Sequence, residues 1–454
     1  MIRLSTTDAD FEARFKALLS QARETTETVD RAVAAIIADL RERGDAALLD
    51  YTARFDRLRL TTETLAVTPA EIEAAVAVVS PELIDAVDLA ARRIEAFHRA
   101  QLPADLRMTD AEGLTLGMRW NALDAVGIYV PGGKAAYPST VLMNAIPARA
   151  AGVGRIAMCV PCPDGILNPL VLAAARRAGV TEIYRVGGAQ AVAALAYGTA
   201  TIAPVDRIVG PGNAYVAEAK RQVFGHVGID AIAGPSEVVV LADATNDPRL
   251  VAVDLLAQAE HDESAQSILI TDSAAFADAV AAAVAAELPT LPRVAIAGAS
   301  WDGHGAIILV RDWDQAIDLV NRLAPEHLQL MLPDPEPVFA RVRHAGAVFL
   351  GAFCPEAVGD YIAGPNHVLP TGRTARFASG LSVFDFLKRT TWVSGDRSGL
   401  DRIGPAAVAL AEAEGLQAHA RSIALRLGQR QALADRPGKA HCRPLPREAT
   451  PYRA

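Results

Sequence analysis

From about residue 120 onward, short β-branched runs alternate with alanine-rich stretches that have helical periodicity. The first set of runs is Ala125–Val130, Gly154–Val160, Glu182–Val186 and Arg207–Val209. After Gly234-Pro235-Ser236 the alternation resumes, with segments Glu237–Leu241, Val251–Glu260, Ser267–Thr271, Phe276–Ala286, Gly305–Val310 and Trp313–Leu323. Such alternation indicates parallel strands with helices on both faces of the sheet. The sequence therefore predicts two similar α/β units in series.

The ends of the chain have a different pattern. Apolar residues at three- and four-residue intervals from Val29 to Leu40 predict a helix that stops at Gly44-Asp45, and a second helix is expected from Pro69 or Pro81. A last helix is predicted over Pro405–Arg426. The tail after it, 429–454, has several Pro, Arg and Lys residues and little apolar periodicity, so we expect it to be mobile.

Charge and hydropathy exclude several classes of partner. The formal net charge is −9, so no basic field exists to attract nucleic acid or an anionic membrane. Apolar runs stay far below the roughly 20 residues that span a bilayer. The N-terminus lacks the pattern of a signal peptide, and four cysteines fit a reducing compartment, so we expect a soluble, cytoplasmic protein.

Two short motifs raise the question of a cofactor. Val209-Gly-Pro-Gly-Asn213 follows a predicted strand and opens a helix, but it lacks the third glycine of a dinucleotide fingerprint. It can still present backbone N–H groups to an anion, or it is an ordinary glycine turn. Cys159-Val-Pro-Cys162 has redox or zinc spacing without a second Cys or His pair nearby, and we interpret both cysteines as small apolar residues.

Histidines in polar segments are the candidates for chemistry. Gln258 and His261 lie three residues apart at a helix end, where both can reach a cation, although a solvated carboxylate-rich helix end is the alternative. Glu326 and His327 are adjacent on a predicted turn after a helix. There His suits proton transfer near neutral pH and Glu suits activation of water, but an isolated Glu-His pair is common.

Two further segments concentrate polar groups among apolar ones. Gly359–His367 is rich in Gly and Pro, and it therefore predicts a loop that can wrap a ligand. Ala411–His419 places Glu414 and His419 five residues apart on the last helix. Taken separately, each segment is also compatible with a surface role.

Together these segments resemble one family, the histidinol dehydrogenases. The resemblance runs from about Val29 to Leu427. Its motifs are Tyr129-Val-Pro-Gly-Gly133, Tyr137-Pro-Ser-Thr-Val-Leu-Met-Asn-Ala145, Val186-Gly-Gly-Ala-Gln-Ala191, Val209-Gly-Pro-Gly-Asn213, Ala233-Gly-Pro-Ser-Glu237, Gln258-Ala-Glu-His-Asp262, Ala324-Pro-Glu-His-Leu328, Gly364-Pro-Asn-His-Val-Leu-Pro370 and Ala413-Glu-Gly-Leu-Gln-Ala-His419.

The resemblance implies roles for these residues. Glu326 would activate water and His327 would accept a proton. One Zn²⁺ per subunit would be held by Gln258, His261, Asp360 and His419. NAD would be bound by Tyr129, Gln190 and Asn213. The substrate would be bound by Ser236, Gln258, His261, His327, Asp360, His367, Glu414 and His419.

The implied reaction is the four-electron oxidation of L-histidinol to L-histidine through L-histidinaldehyde, with two NAD molecules used in turn, as the last step of histidine biosynthesis. The family's last helix crosses to a partner subunit, so we expect a homodimer in which Glu414 and His419 complete the neighbour's site. Glu414 suits an ammonium group and would repel a sulfonate, which favours an amino alcohol. A related enzyme for another primary alcohol, and a metal-stabilised scaffold or nucleotide-binding module, are the alternatives.

In fold, the resemblance implies two Rossmann-like, incomplete doubly wound α/β domains in series with helical N- and C-terminal segments. The predicted division is a helical segment at 1–25, a first α/β domain at 26–129 and 237–381 with most of the metal and catalytic site, a second α/β domain at 130–236 that binds NAD, a helical segment at 382–428 that reaches the partner, and the tail.

Overall fold

The computed structural model describes residues 1–20, 27–132, 137–180, 182–232 and 234–428, and the predicted mobile tail lies outside them. The strands are β1 Ile2–Ser5, β2 Leu106–Thr109, β3 Thr115–Ala122, β4 Ala125–Tyr129, β5 Arg155–Cys159, β6 Glu182–Tyr184, β7 Arg207–Val209, β8 Gly228–Ile229, β9 Glu237–Ala242, β10 Gln266–Thr271, β11 Ala306–Leu309, β12 His327–Met331, β13 Ala347–Leu350 and β14 Leu387–Ser394.

The α-helices are α1 Phe11–Leu19, α2 Glu27–Arg43, α3 Asp45–Phe55, α4 Pro69–Ala77, α5 Pro81–Arg99, α6 Pro138–Ala151, α7 Pro169–Ala178, α8 Gly188–Tyr197, α9 Ala214–Val223, α10 Pro248–Ala259, α11 Ala274–Glu287, α12 Val294–His304, α13 Trp313–Leu323, α14 Glu336–Phe339, α15 Glu356–Tyr361, α16 Arg397–Ala413 and α17 Gln417–Arg426. One helix was predicted from Pro69 or Pro81, but two are present, one from each proline, because proline is favoured in the first helical turn.

Two parallel sheets organise most of the chain. Across the described residues, sheet I has the order β1-β11-β10-β9-β12-β13 and sheet II the order β6-β5-β4-β7-β8. If the strands of sheet I are numbered along the chain from β9, and those of sheet II from β4, both sheets have the strand order 3-2-1-4-5 of a doubly wound nucleotide-binding fold. Sheet I has β1 as an additional strand at one edge. The predicted pair of incomplete doubly wound units is therefore confirmed.

Central strands are buried on both faces, which explains their continuous apolar composition. In β9, Val239 and Leu241 contribute to the core on one face of sheet I, while Val238, Val240 and Ala242 contribute to the core on the other. Because successive side chains of a strand point to opposite faces, one short run serves both cores. Sheet II is covered in the same way by two separate clusters.

By its backbone contacts the chain forms two compact units, Met1–Leu102 with Ala122–Leu387, and Pro103–Asn121 with Lys388–Ala454. The first holds sheets I and II. The second carries most of a third sheet, in the order β14-β3-β2, together with α16 and α17, which pack against each other. The single helix predicted over Pro405–Arg426 is wrong: two helices are present, and Gly415 at φ 77° lies in the break between them.

The predicted ranges also differ from the structure in the first half of the chain. The segment 1–25 is not wholly helical, since β1 pairs with β11. Residues of α2 and α5 contribute to the cores of sheet II, as does β4, although the predicted division grouped 26–129 with sheet I. An apolar helix face does not specify which sheet it covers, so this choice is made by tertiary packing. The metal- and NAD-binding roles of the two parts stay predictions.

Among the described residues, no helix combines the length and the apolar character needed to cross a membrane.

Candidate active site

Glu326 and His327 lie at the amino end of β12, which is an interior strand of sheet I between β9 and β13. Helix α13 ends at Leu323, and Ala324 then adopts a left-handed conformation (φ 46°) before Pro325. Only Glu326 of the pair lies on the predicted turn. His327 already belongs to β12, where it pairs with Val238 in β9 and with Ala347 in β13. Two neighbouring strands therefore fix the backbone that carries both side chains.

The backbone of Glu237 orients both of these side chains. Its N–H donates to Oε2 of Glu326 at 2.9 Å, and its carbonyl oxygen lies 3.1 Å from Nδ1 of His327. Since a carbonyl can only accept, Nδ1 carries the proton and Nε2 of a neutral ring has the free lone pair. The site thus holds His327 in the tautomer that a general base needs.

His327 is buried, and its Nε2 has no hydrogen-bond partner among the residues that the structure describes. Burial lowers the pKa of His327 to about 3. The bond to the Glu237 carbonyl partly opposes this decrease, whereas the neighbouring His261 and His367 add to it. The imidazole is therefore neutral throughout the physiological range. A buried, unpaired acceptor nitrogen costs stability, and such costs are typical of functional sites.

Two carboxylates of α15 face this nitrogen. Oε1 of Glu356 and Oδ1 of Asp360 each lie 3.8 Å from Nε2 of His327. One ligand atom from each of these three residues lies within 4.8 Å of the others, so the group is compact enough to hold a cation. Burial raises the pKa of Asp360 to about 6. Burial, together with repulsion from Asp360, raises the pKa of Glu356 well above its usual value.

Glu326 is also buried, and its carboxyl is electrostatically coupled to the same site. Burial raises the pKa of Glu326 well above 4.5, the Glu237 N–H opposes that rise, and the charges of Glu237, Asp360 and Glu356 add to it. A carboxylate with a raised pKa is a stronger base than one in water. It can therefore take a proton from water more readily than an exposed glutamate.

Two of the predicted metal ligands, His261 and Asp360, approach each other near the end of α10, the helix that carries Gln258. His261 follows this helix, and its Nε2 lies 3.9 Å from Oδ2 of Asp360. Gln258 is fully buried, yet within the described part of the chain neither atom of its amide has a hydrogen-bond partner. A buried amide with two unsatisfied atoms beside an imidazole and a carboxylate fits a borderline ion such as Zn²⁺, which accepts N and O ligands.

The other predicted substrate residues are divided between the two units. Nδ1 of His367 lies 2.8 Å from the carbonyl oxygen of Asp360, and burial lowers the pKa of His367 to about 4. Ser236 directly precedes β9, and its carbonyl oxygen accepts from the N–H of Gln266. Glu414 and His419 are exposed side chains of the second unit; Glu414 ends α16 and His419 lies in α17.

Sheet II places the predicted NAD residues at its carboxyl edge. Its strand order reverses at β4, where doubly wound folds bind ligands. Tyr129 ends β4, and its hydroxyl accepts from the N–H of Gly188 at 3.1 Å. Asn213 caps α9 through bonds from the N–H groups of Tyr215 and Val216. Oε1 of Gln190 is buried and has no partner among the described residues. This unsatisfied acceptor and the switch point fit a dinucleotide.

The structure gives no support to a redox role for the two spaced cysteines. Cys159 ends β5 and Cys162 follows it, and both are buried. Burial raises the pKa of Cys159 to about 12 and that of Cys162 to about 11. Both are protonated thiols at neutral pH, which are poor nucleophiles. Their interpretation as small apolar residues therefore stands.

Several residues of the site were missed from the sequence. Glu356 lies four residues before Asp360, a spacing that places both on one face of a helix and could have identified it. Gln329 and Asp254 connect β12 to α10 by a bond of 2.8 Å, and burial raises the pKa of Asp254 to about 6. The backbone role of Glu237 has no sequence signal, because any residue supplies the same N–H and carbonyl.

The buried histidines predict a measurable pH dependence of stability. An unfolded histidine binds a proton near pH 6.5, but His367 stays neutral to about pH 4 when folded. Between these values the unfolded state binds more protons, so stability falls as pH drops. Lowering the pH from 7 to 5 should cost about 2 kcal/mol per such histidine. Between pH 7 and pH 5, the free energy of unfolding of the His367→Asn variant should therefore fall by about 2 kcal/mol less than that of the original protein. The measurement is urea unfolding at both pH values with chelator present. An equal loss in the two proteins would contradict the buried neutral state.

The fold and site define a class: an α/β enzyme with a buried neutral imidazole among carboxylates, a candidate metal site, and a second sheet with the topology of a dinucleotide-binding fold. A family model described as histidinol dehydrogenase matches residues 19–427. The chain therefore belongs to the histidinol dehydrogenase family and is an oxidoreductase.

Individual relatives agree over nearly the full length. The chain is 67% identical over 427 residues to a histidinol dehydrogenase of Gluconobacter oxydans, covering 94% of this chain and 99% of that one. It is 62% identical over 429 residues to one of Rhodospirillum rubrum, again covering 94% and 99%. A crystal structure of the Elizabethkingia anophelis histidinol dehydrogenase superposes with a TM-score of 0.90 at 38% identity, covering 94% and 98%.

Proposed function

We propose that this protein oxidises L-histidinol to L-histidine through L-histidinaldehyde, with one Zn²⁺ per subunit and two NAD molecules used in turn. Oxidation of histidinol in histidine biosynthesis follows from family membership. The metal, the cofactor and the roles of individual residues are the proposed part. The observation that carries them is the Nε2 atom of His327, buried without a partner and directed at two carboxylates.

His327 accepts the proton of the substrate hydroxyl at Nε2 in the first oxidation. Its Nδ1–H bond to Glu237 holds the ring and stabilises the imidazolium that forms. When bound, NAD would supply the hydride acceptor, and zinc would supply a redox-silent centre that helps to hold and orient the substrate. The buried surroundings exclude bulk water from this step.

Glu326 acts in the second oxidation. Its carboxylate takes a proton from the water that adds to the aldehyde. After His327 has released its first proton to solvent, it accepts a proton from the hydrate as hydride leaves for the second NAD. Burial raises the pKa of Glu326 above that of an exposed glutamate, which makes its carboxylate a stronger base toward water. Its Oε2 lies 3.7 Å from Nδ1 of His327, so the two side chains are neighbours in one buried site, which supports a shared role.

Zinc would be held by Gln258, His261 and Asp360 of one subunit with His419 of its partner. Three of these residues lie in the first unit, where the Gln258 amide and the close pair of His261 and Asp360 support the assignment. We further propose a cytoplasmic homodimer in which Glu414 and His419 of the second unit complete the neighbour's site. The Glu414 carboxylate would pair with the ammonium group of the substrate.

NAD would be bound at the carboxyl edge of sheet II by Tyr129, Gln190 and Asn213. Support comes from the switch point in the strand order and from the unsatisfied Oε1 atom of Gln190. No complete glycine fingerprint follows β4. The proposed site is compatible with this, since the turns after β6 and β7 also open helices, α8 and α9, at the same edge of sheet II.

The stoichiometry of the reaction tests the proposal. With limiting L-histidinol, excess NAD and purified enzyme, we expect two NADH per histidinol consumed, measured by absorbance and by quantification of histidine. A single oxidation of another primary alcohol, the competing hypothesis, gives one NADH per substrate. No turnover with histidinol alongside turnover of a sulfonated diol would overturn the proposal, and reactions without substrate serve as the control.

A further inference from the structure

A buried ion pair lies beneath the turn that follows β7. The ammonium of Lys220, in α9, contacts the carboxylate of Asp230, just after β8. The side chains are only 2% and 5% exposed. The proposed mechanism uses neither of them, although they lie at the carboxyl edge of sheet II where the dinucleotide is proposed to bind.

Both charged groups bind the same residue of the turn, Gly210. Oδ2 of Asp230 accepts from the Gly210 N–H at 2.7 Å, and Nζ of Lys220 donates to the Gly210 carbonyl oxygen at 3.0 Å. Gly210 has φ 110°, and a Cβ there would lie 2.1 Å from the carbonyl oxygen of Tyr129. The turn is therefore fixed by hydrogen bonds on both sides of one residue and by close packing on β4.

Stability alone is a poor explanation for this pair. Removing two charges from water is costly, and replacement of a buried ion pair by apolar residues is often neutral or stabilising. A pair with no net charge also attracts no anion by itself. What it supplies is a fixed direction for the Gly210–Asn213 turn, which ends at the proposed NAD residue Asn213.

We propose that Lys220 and Asp230 are positioning residues for dinucleotide binding, acting through the Gly210 peptide. This inference rests on the proposed NAD-dependent function. The pair holds the turn in its binding conformation before the cofactor arrives, so less ordering is left to be done on binding. Loss of the pair lowers the affinity for the dinucleotide without altering proton transfer at His327.

The test removes both charges together, because a single substitution would leave an unpaired buried charge. In the variant Lys220→Met/Asp230→Val, titration of NADH fluorescence should show a Kd raised about tenfold, equivalent to about 1.4 kcal/mol. The KM for NAD should rise similarly, while kcat at saturating NAD stays within about twofold of the original. Zinc content, measured by metal analysis, should be unchanged.

A matched control removes an ion pair from the opposite edge of the same sheet. Arg155 and Glu182 begin β5 and β6 and pair at 2.8 Å. Arg155→Met/Glu182→Gln should leave the NADH Kd unchanged, whatever its effect on urea unfolding. If the first variant does not fold, Lys220→Met/Asp230→Asn replaces it, since asparagine keeps an acceptor for the Gly210 N–H while the Lys220 bond is still lost.

The outcomes separate the two proposals. Unchanged NADH affinity in the folded charge-free variant, with normal binding by the original protein, overturns the positioning role alone. Failure of the original protein to bind NADH overturns the proposed function and this inference with it. An equal rise in Kd in the control pair would show a general effect of sheet II stability, which also overturns the positioning role.

Discussion

Replacing His327 with asparagine is expected to lower kcat for histidinol oxidation by on the order of 10²- to 10⁴-fold. The asparagine amide can still donate to the Glu237 carbonyl, as Nδ1 of His327 does at 3.1 Å, so the fold is kept. What disappears is Nε2, the buried acceptor without a partner. The measurement is steady-state NADH formation with histidinol, and again with histidinaldehyde as substrate.

His344→Asn is the matched control, because this partly buried histidine lies between α14 and β13 and makes none of the contacts of the site. We expect its kcat to stay within about twofold. The zinc content of the His327 variant should change little, and kcat should fall by a much larger factor than the KM for histidinol rises, since the base acts in the chemical step. A kcat within about threefold of the original enzyme would remove His327 from the role of base.

Replacing Asp360 with asparagine is expected to weaken Zn²⁺ binding by at least about 100-fold and to reduce turnover in parallel. The carboxylate is the group that faces both His261, at 3.9 Å, and His327, at 3.8 Å. An amide of the same shape removes the negative charge and leaves the packing of α15. Zinc affinity is measured by competition with a chelator, and turnover is measured before and after zinc is added.

Asp278→Asn is the control for this change, since Asp278 is an exposed carboxylate of α11 that pairs with Arg3. Its zinc affinity should equal that of the original protein. Chelation of the original enzyme should abolish turnover while the far-UV spectrum of the folded chain is retained. Full zinc affinity in the Asp360 variant would show that other groups hold the cation.

The same variant tests whether sites are shared between subunits. If His419 reaches the partner's site, Asp360→Asn and His419→Asn are each inactive alone. Hybrid dimers formed by mixed refolding then contain one intact site. Random pairing makes half of the dimers hybrid, so about one quarter of the original activity should return. No recovery would place both residues in the site of a single subunit.

Local patterns predicted the elements because periodicity is a property of neighbouring residues. The six-residue run Glu237–Ala242 is buried throughout, as a central parallel strand requires, and prolines mark the starts of α4 and α5. The last helix was predicted as one because its apolar pattern continues across Gly415, which ends α16 in a left-handed turn. Such a break depends on one backbone angle, and periodicity does not report it.

The position of the site was beyond such patterns. In doubly wound sheets, ligands usually bind at the carboxyl edge, yet Glu326 and His327 lie at the amino end of β12 in sheet I. Glu356 and Asp360 approach from α15, and Gln258 and His261 from the end of α10. Because these three segments are distant along the chain, spacing does not connect them, and in the sequence only the resemblance to a family does.

What the sequence determined by itself was the succession of elements, the two α/β units and, through the family's motifs, the candidate chemical groups. The tertiary structure decided which groups meet. It made the backbone of Glu237 the support of both bases, added Glu356 to the site and joined Lys220 and Asp230 to Gly210. The physical reason is that periodicity arises from local geometry, whereas burial, pKa shifts and hydrogen-bond partners depend on contacts between residues far apart along the chain.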